Sequence, residues 1–185
     1  DKEKAKKYGE FAEILTPLVK GYGSEVSLGI IAQAMQVFGG VGYTREYPVE
    51  QYMRDSKILT IWEGTTYIHA NDLIGRKMRI SEGKPFMDWM ELIKEFIDKN
   101  ATARGFEKEM EKLARGYRCM KEVVAIYNAW YKNMESKRSL IPLYAVKALF
   151  ICGQVQTAQC LIEQALIAQK KLDEADSTDA TFYQG

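Results

Sequence analysis

The sequence predicts an all-α protein, a helical bundle, from three observations. Long stretches are rich in Ala, Leu, Lys, Glu and Gln, the residues that lose least on entering a helix. Only four prolines interrupt 185 residues. Apolar residues recur at steps of three and four in several segments, whereas period-two alternation of β-branched residues is hard to find. With 46% apolar and 28% charged residues, the chain is long enough for one sizeable core and short for two.

The first helix is expected over 4–20, with Phe11, Leu15 and Leu18 on one side, Pro17 as a kink or break, and Gly21 and Gly23 as punctuation after it. A second, over 24–38, takes Ser24 as its cap and stops at Gly39, where a left-handed position suits glycine. The loop Gly39-Gly40-Val41-Gly42 follows. Pro48 opens a shorter helix to about Lys57, since proline is tolerated in a first turn. Residues 58–64 connect, and the helical pattern resumes over 65–78 with Asp72 and Arg76 at a favourable i,i+4 spacing.

Ser81-Glu82-Gly83-Lys84-Pro85 reads as a linker and the main boundary, dividing the chain into 1–80 and 85–185. Beyond it, Phe86, Met90, Ile93 and Ile97 mark an amphipathic helix. Met110, Leu113, Tyr117, Met120, Val124, Tyr127, Tyr131 and Met134 mark one face of a long helix in a bundle. Pro142 lies near the start of a last long helix carrying Tyr144, Ala148, Ile151, Val155, Ala158, Ile162 and Ala165. Leu149, Phe150 and Leu161 add apolar surface on its other sides, so it is expected to be the most buried helix. The tail from Asp173 is polar and expected to be loose until Phe182-Tyr183.

Charge and composition exclude several classes of function. Lys plus Arg number 26 against 25 Asp plus Glu, and a net charge of +1 offers no footprint for nucleic acid or an anionic membrane. Cys119, Cys152 and Cys160 form no even, closely spaced framework, so they read as small buried hydrophobes in a reducing, cytoplasmic setting. The one histidine, His69, would have to carry a zinc site or a Ser-His-Asp triad alone, so no metal site is expected. No run reaches the roughly 20 uninterrupted apolar residues of a membrane span, Lys147 breaking the richest, over 140–152. The first residues carry neither an apolar h-region nor an initiating Met, so no signal peptide is expected and the true start is expected upstream.

Two features could carry chemistry. In the first, 36–43, glycines crowd directly behind a helix. This is either a helix stop and turn, or a stretch of bare backbone that a ligand can approach closely. It is not the G-x-G-x-x-G dinucleotide fingerprint, which follows a strand. In the second, Ile61-Trp62-Glu63-Gly64-Thr65-Thr66, a carboxylate lies between bulky apolar residues and a helix start. Apolar neighbours would desolvate Glu63 and raise its proton affinity while the positive helix end lowers it, a tuning that suits a general base. Glu63 could instead do no more than complement the dipole of the helix after it, the reading that the local sequence by itself favours. His69, on the same helix, reads as a partly buried polar residue, and Arg54-Asp55 as a local ion pair or helix-end contact.

Read together, Q-V-F-G-G-V-G-Y-T-R-E-Y-P-V-E-Q-Y-M-R-D over 36–55 and the following I-W-E-G-T-T-Y-I closely resemble the C-terminal signature of the acyl-CoA dehydrogenases. The match is continuous through about 31–78 and keeps the spacing between glycine loop and carboxylate. The resemblance implies a flavoenzyme in which a carboxylate removes the α-proton of an acyl-CoA thioester while a β-hydride passes to FAD, later reoxidised by an electron-transferring flavoprotein. Weak C–H acidity demands such a base in a dry site, with donors on the thioester oxygen. It further implies Glu63 as the base, Gly64 at the thioester, Trp62 beside the acyl chain, and Gln36, Gly39 and Gly40 at the adenosine of FAD held by a neighbouring subunit of a homo-oligomer. Thr65 and the residues after it, Tyr67 included, would approach the cofactor. Many members read E-G-T-x-Q-I-Q; Tyr67 and His69 stand here at the two glutamine positions, which puts any side-chain contact there in question.

No segment corresponds to the family's N-terminal helical or β domains, so 1–80 would supply the latter half of the C-terminal bundle. Residues 85–185 resemble, less specifically, the helical extension of one bacterial subgroup. The chain is thus expected to be a piece of a larger dehydrogenase, inactive by itself. A non-catalytic oligomerisation or docking module and an acyl-CoA oxidase-like enzyme are the competing readings.

Overall fold

A computed structural model describes residues 2–174, and all regular structure among them is helical. Helix α1 (Lys2–Pro17) passes through a π-helical turn (Leu18–Gly23) directly into α2 (Ser24–Phe38). Pro17 lacks an amide and removes one bond from the ladder, but the wider turn after it carries the chain on without a break. Gly21 and Gly23 therefore lie inside a continuous rod and do not end it. Ser24 is no cap either, because its hydroxyl donates back to the Lys20 carbonyl at 2.6 Å. At Gly39 the positive φ of 63° is present, but ψ of −146° places it in a region open essentially to glycine alone, outside the left-handed helical well.

A 3-10 turn (Gly39–Tyr43) then leads to α3 (Val49–Leu59), a bend, and α4 (Thr66–Asn71), which widens into a second π-helical turn (Asp72–Lys77). Arg76 and Asp72 pair at 2.6 Å as their spacing predicts. Arg54 instead pairs with Glu50 at 2.9 Å, one turn back, while Asp55 accepts from Gln51. Ser81, Glu82 and Gly83 all have positive φ and swing the chain into α5 (Lys84–Asn100).

Helix α6 (Glu107–Lys132) buries Met110, Leu113, Met120, Val124 and Tyr127 along the predicted stripe. Met134 falls beyond the helix end, in the short α7 (Met134–Lys137), and is exposed. Pro142 belongs to the short α8 (Leu140–Leu143) instead of the last long helix, α9 (Ala145–Glu174). Burial of α9 is concentrated in its first half, with Ala145, Ala148, Leu149 and Cys152 enclosed, while in the second half Ile162 is buried and Leu161 open to solvent. Asp173 and Glu174 continue α9; the expectation for Phe182 and Tyr183 lies outside the described residues.

One hydrophobic core unites both sides of the 81–85 turn. Phe11, Ile14 and Leu18 of the first rod share it with Leu73 and Ile74, Phe86 to Ile97 of α5, the α6 stripe and the start of α9. Specific polar ties fix the packing. Trp89 Nε1 donates to Gln156 Oε1 at 2.6 Å, joining α5 to α9, and the Tyr131 hydroxyl donates to the Ile74 carbonyl at 2.5 Å, joining α6 to the second π-turn. Lys77 is only 6% exposed and reaches Glu13 at 2.5 Å; its hydrogen bond and charge hold the Glu13 carboxyl below the usual range.

By length and composition alone, two helical stretches, within Lys2–Tyr43 and Ala145–Asp173, are long and apolar enough to cross a membrane, a test that the core helix of a soluble protein also passes. The second is the core helix α9. In the first, the apolar α2 packs on α3 and otherwise stands clear of the core, leaving Val37 88% and Ile30 61% exposed.

Two outcomes check this packing. A methyl at Gly153 would meet the Tyr22 ring at 2.3 Å, whereas one at Gly75 meets nothing within 4 Å. Gly153→Ala should thus lower unfolding free energy by about 1–3 kcal/mol, read by urea denaturation. Gly75→Ala should be neutral, or stabilising by up to about 1 kcal/mol. The cysteines also differ from the sequence expectation: Cys119 and Cys160 are exposed, and only Cys152 is buried, its thiol pushed up to about 12 by that burial. A chromogenic disulfide at pH 8 should label two thiols at once and the third only as the chain unfolds; three fast thiols would contradict the packing.

Candidate active site

The bend between α3 and α4 brings Trp62, Glu63, Gly64, Thr65 and Tyr67 together. Thr60 closes the end of α3, its amide and hydroxyl both donating to the Lys57 carbonyl, and Ile61 and Trp62 amides follow onto Ile58. Glu63 then takes φ of 57° and Gly64 φ of 99°. Glycine adopts such values freely, but a glutamate there costs on the order of 1–3 kcal/mol, which its surroundings must supply. Thr65 returns to extended backbone, and its carbonyl receives the first amides of α4, from Ile68 and His69.

The surroundings do supply contacts. His69 Nε2 lies 3.1 Å from the Glu63 carbonyl oxygen. The Thr66 hydroxyl donates to Glu25 Oε1 of α2 at 2.6 Å, and Lys20 Nζ donates to the Leu59 carbonyl. The bend is thereby tied to the first π-turn and the start of α2. Glu25, Lys20 and Thr60 have no local motif that marks them, because the first two act across 41 and 39 residues of sequence.

Apolar neighbours do not enclose Glu63, contrary to the desolvation expected from sequence. Its side chain is exposed, and Ile61 and Trp62 are themselves 53% and 51% exposed. The N-terminal end of α4 faces the bend. Thr65 and Tyr67 are exposed beside it.

Gln36, Gly39 and Gly40 form a second, separate group. They sit at the far end of the 15-residue α2, about 20 Å from the Glu63 bend at 1.5 Å rise per residue. Gln36 is exposed, and a methyl added at Gly39 or Gly40 would meet no atom within 4 Å, so the backbone lies open. Gly42 differs: a methyl there would strike Phe38 and the Met35 carbonyl, so its role is to let the turn close on α2.

Residues 3–78 match the family model described as acyl-CoA dehydrogenase, C-terminal domain, and residues 89–185 the one described as acetyl-CoA dehydrogenase C-terminal like. Among curated proteins, a butyryl-CoA dehydrogenase of Syntrophomonas wolfei is 32% identical over 182 residues, covering 95% of this chain and 29% of its own length. The broad-specificity linear acyl-CoA dehydrogenase FadE5 of Mycobacterium tuberculosis is 31% identical over 179 residues, 94% of this chain and 29% of the relative. A 3-methylmercaptopropionyl-CoA dehydrogenase of Ruegeria pomeroyi is 34% identical over 177 residues, with the same two coverages. The chain thus spans under a third of the length of these relatives, and with an all-helical core and both C-terminal matches it belongs to the acyl-CoA dehydrogenase family, whose C-terminal part it matches.

Proposed function

We propose that the chain is the C-terminal portion of an FAD-dependent, cytoplasmic acyl-CoA dehydrogenase in which Glu63 is the base. The observation that carries this reading is the bend at 60–65, where a carboxylate is held on a backbone of positive φ, open to an incoming ligand and flanked by an exposed indole. The Glu63 carboxylate takes the proton from the α-carbon of the acyl thioester. An amide donor at Gly64, directed at the thioester oxygen, would stabilise the charge that develops there. Trp62 offers its face to the acyl chain. FAD, when bound, supplies the acceptor for the β-hydride, and an electron-transferring flavoprotein is the partner that drains it.

The residues present fit part of that cofactor. Gln36, Gly39 and Gly40 make an open backbone ledge with an amide side chain at its edge, suited to a flat group such as adenosine. Because the ledge and Glu63 lie at opposite ends of α2, the ledge would serve the FAD of a neighbouring subunit, with Thr65 and Tyr67 near the cofactor beside Glu63. The two-part division into 1–80 and 85–185 is retained in this reading, the second part as a helical extension.

Glu63→Gln in the full-length protein should lose on the order of 10²-fold or more in kcat while acyl-CoA binding survives. Undiminished turnover would remove Glu63 as the base, and turnover with oxygen alone as acceptor would favour an oxidase-like relative. The 185-residue chain by itself should neither hold FAD nor oxidise acyl-CoA of any chain length with an artificial acceptor, since a preorganised site needs its full supporting shell. The exposed apolar surface of α2, together with Ile58, Ile61 and Trp62, should drive self-association. Sedimentation at micromolar concentration should show dimers or larger species; a strict monomer would count against a homo-oligomer built through this surface.

A further inference from the structure

We infer that His69 is a positioning residue that holds the Glu63 backbone in its positive-φ conformation by donating Nε2–H to the Glu63 carbonyl. The inference rests on the reading of Glu63 as the base. A carbonyl oxygen can only accept, so the 3.1 Å contact requires the proton on Nε2. The bond closes a ring from α4 back onto Glu63, three residues before that helix begins at Thr66, across six residues and around the two successive positive-φ positions. Breaking it leaves Glu63 free to relax to negative φ, which would swing its carboxylate away from its present direction.

The imidazole is itself fixed by packing. Its Cβ lies 3.2 Å from the place a Gly21 side chain would occupy, so the bare backbone of the first π-turn makes the seat for it. On the other side, Nε2 lies 3.3 Å from where a Gly64 methyl would sit, so the ring also fills the space under the bend. Position, donor atom and acceptor are thus set by three elements: the π-turn, α4 and the bend.

Glutamine places its Nε2 the same number of bonds from Cα as histidine does, whereas leucine fills similar space without a donor. In the full-length protein His69→Leu should lower kcat by about 10-fold or more while KM stays within about threefold, because the base is displaced and not the binding surface. His69→Gln should restore kcat to within about threefold of wild type. Equal losses in the Leu and Gln variants, or a Leu variant with wild-type kcat, would overturn the inference. A separate arm does not depend on the chemistry of Glu63. His69 is the single histidine of the 185-residue chain, so its imidazole nitrogens are identified without assignment. Nitrogen-15 spectra at a pH where the ring is neutral should show the Nε2–H tautomer, its proton protected from solvent exchange. An Nδ1–H tautomer, or a freely exchanging Nε2 proton, would overturn the clamp. If Glu63→Gln keeps full turnover, the base reading falls, and the spectra alone then decide whether His69 holds the bend.

Discussion

Helix α9 can lie against the first π-turn because two glycines remove the atoms that would hold them apart. A side chain at Gly153 would meet the Tyr22 ring at 2.3 Å, and one at Gly21 would meet Leu149 at 2.7 Å. The small residues sit on opposite partners, so each helix lets in a bulky group of the other, as ridges enter grooves. Tyr22 then packs edge-on to Phe150 with ring centroids 5.3 Å apart. Through this crossing the segments matched by the two family models share one core, with Leu18, Leu73 and Leu149 all buried in it.

The same π-turn decides where the bend stands. Its Lys20 holds the end of α3, its Gly21 seats His69, and Glu25 just beyond it takes the Thr66 hydroxyl. A regular α-helical turn would rotate these side chains onto other faces, since the direction of each depends on the residues per turn before it. Pro17, which takes an amide from the ladder immediately upstream, gives a physical reason for the change of period at that point. The geometry of the bend is therefore coupled to a backbone irregularity about 40 residues earlier.

That coupling explains what could be read from the sequence. The apolar stripes of α5 and α6 were legible because a face that repeats every three or four residues has one way to be buried, and Phe86, Met90, Ile93, Ile97 and Met120 are all enclosed. The end of α2 at Gly39 and the start of α3 at Pro48 were legible because each is a local stereochemical restriction. The continuity of α1 through Pro17 was not, because a break and a π-turn meet the same local restriction and tertiary packing selects between them. The residue types gathered at 62–67 were visible as a motif, and so was the open ledge at 36–40. Their separation by the length of α2, the exposure of Glu63, and the roles of Lys20, Glu25 and His69 depend on contacts that no local pattern encodes.

In the proposed reading of Glu63 as a base, its exposure divides the work between geometry and environment. The Glu63 carboxylate is open to water beside the start of α4, without the dry surroundings that abstraction from a weak carbon acid requires. To strip α-hydrogens its hydration must be replaced by apolar walls, and the surfaces able to join such a wall here, Ile61 and Trp62, are each more than half uncovered. Ile30 and Val37 of α2 are uncovered as well, so apolar surface is left open both at the bend and along α2. In the proposed enzyme this chain fixes where the carboxylate is and how its backbone is held. A surface packed onto the bend would supply the apolar walls that this chain leaves out.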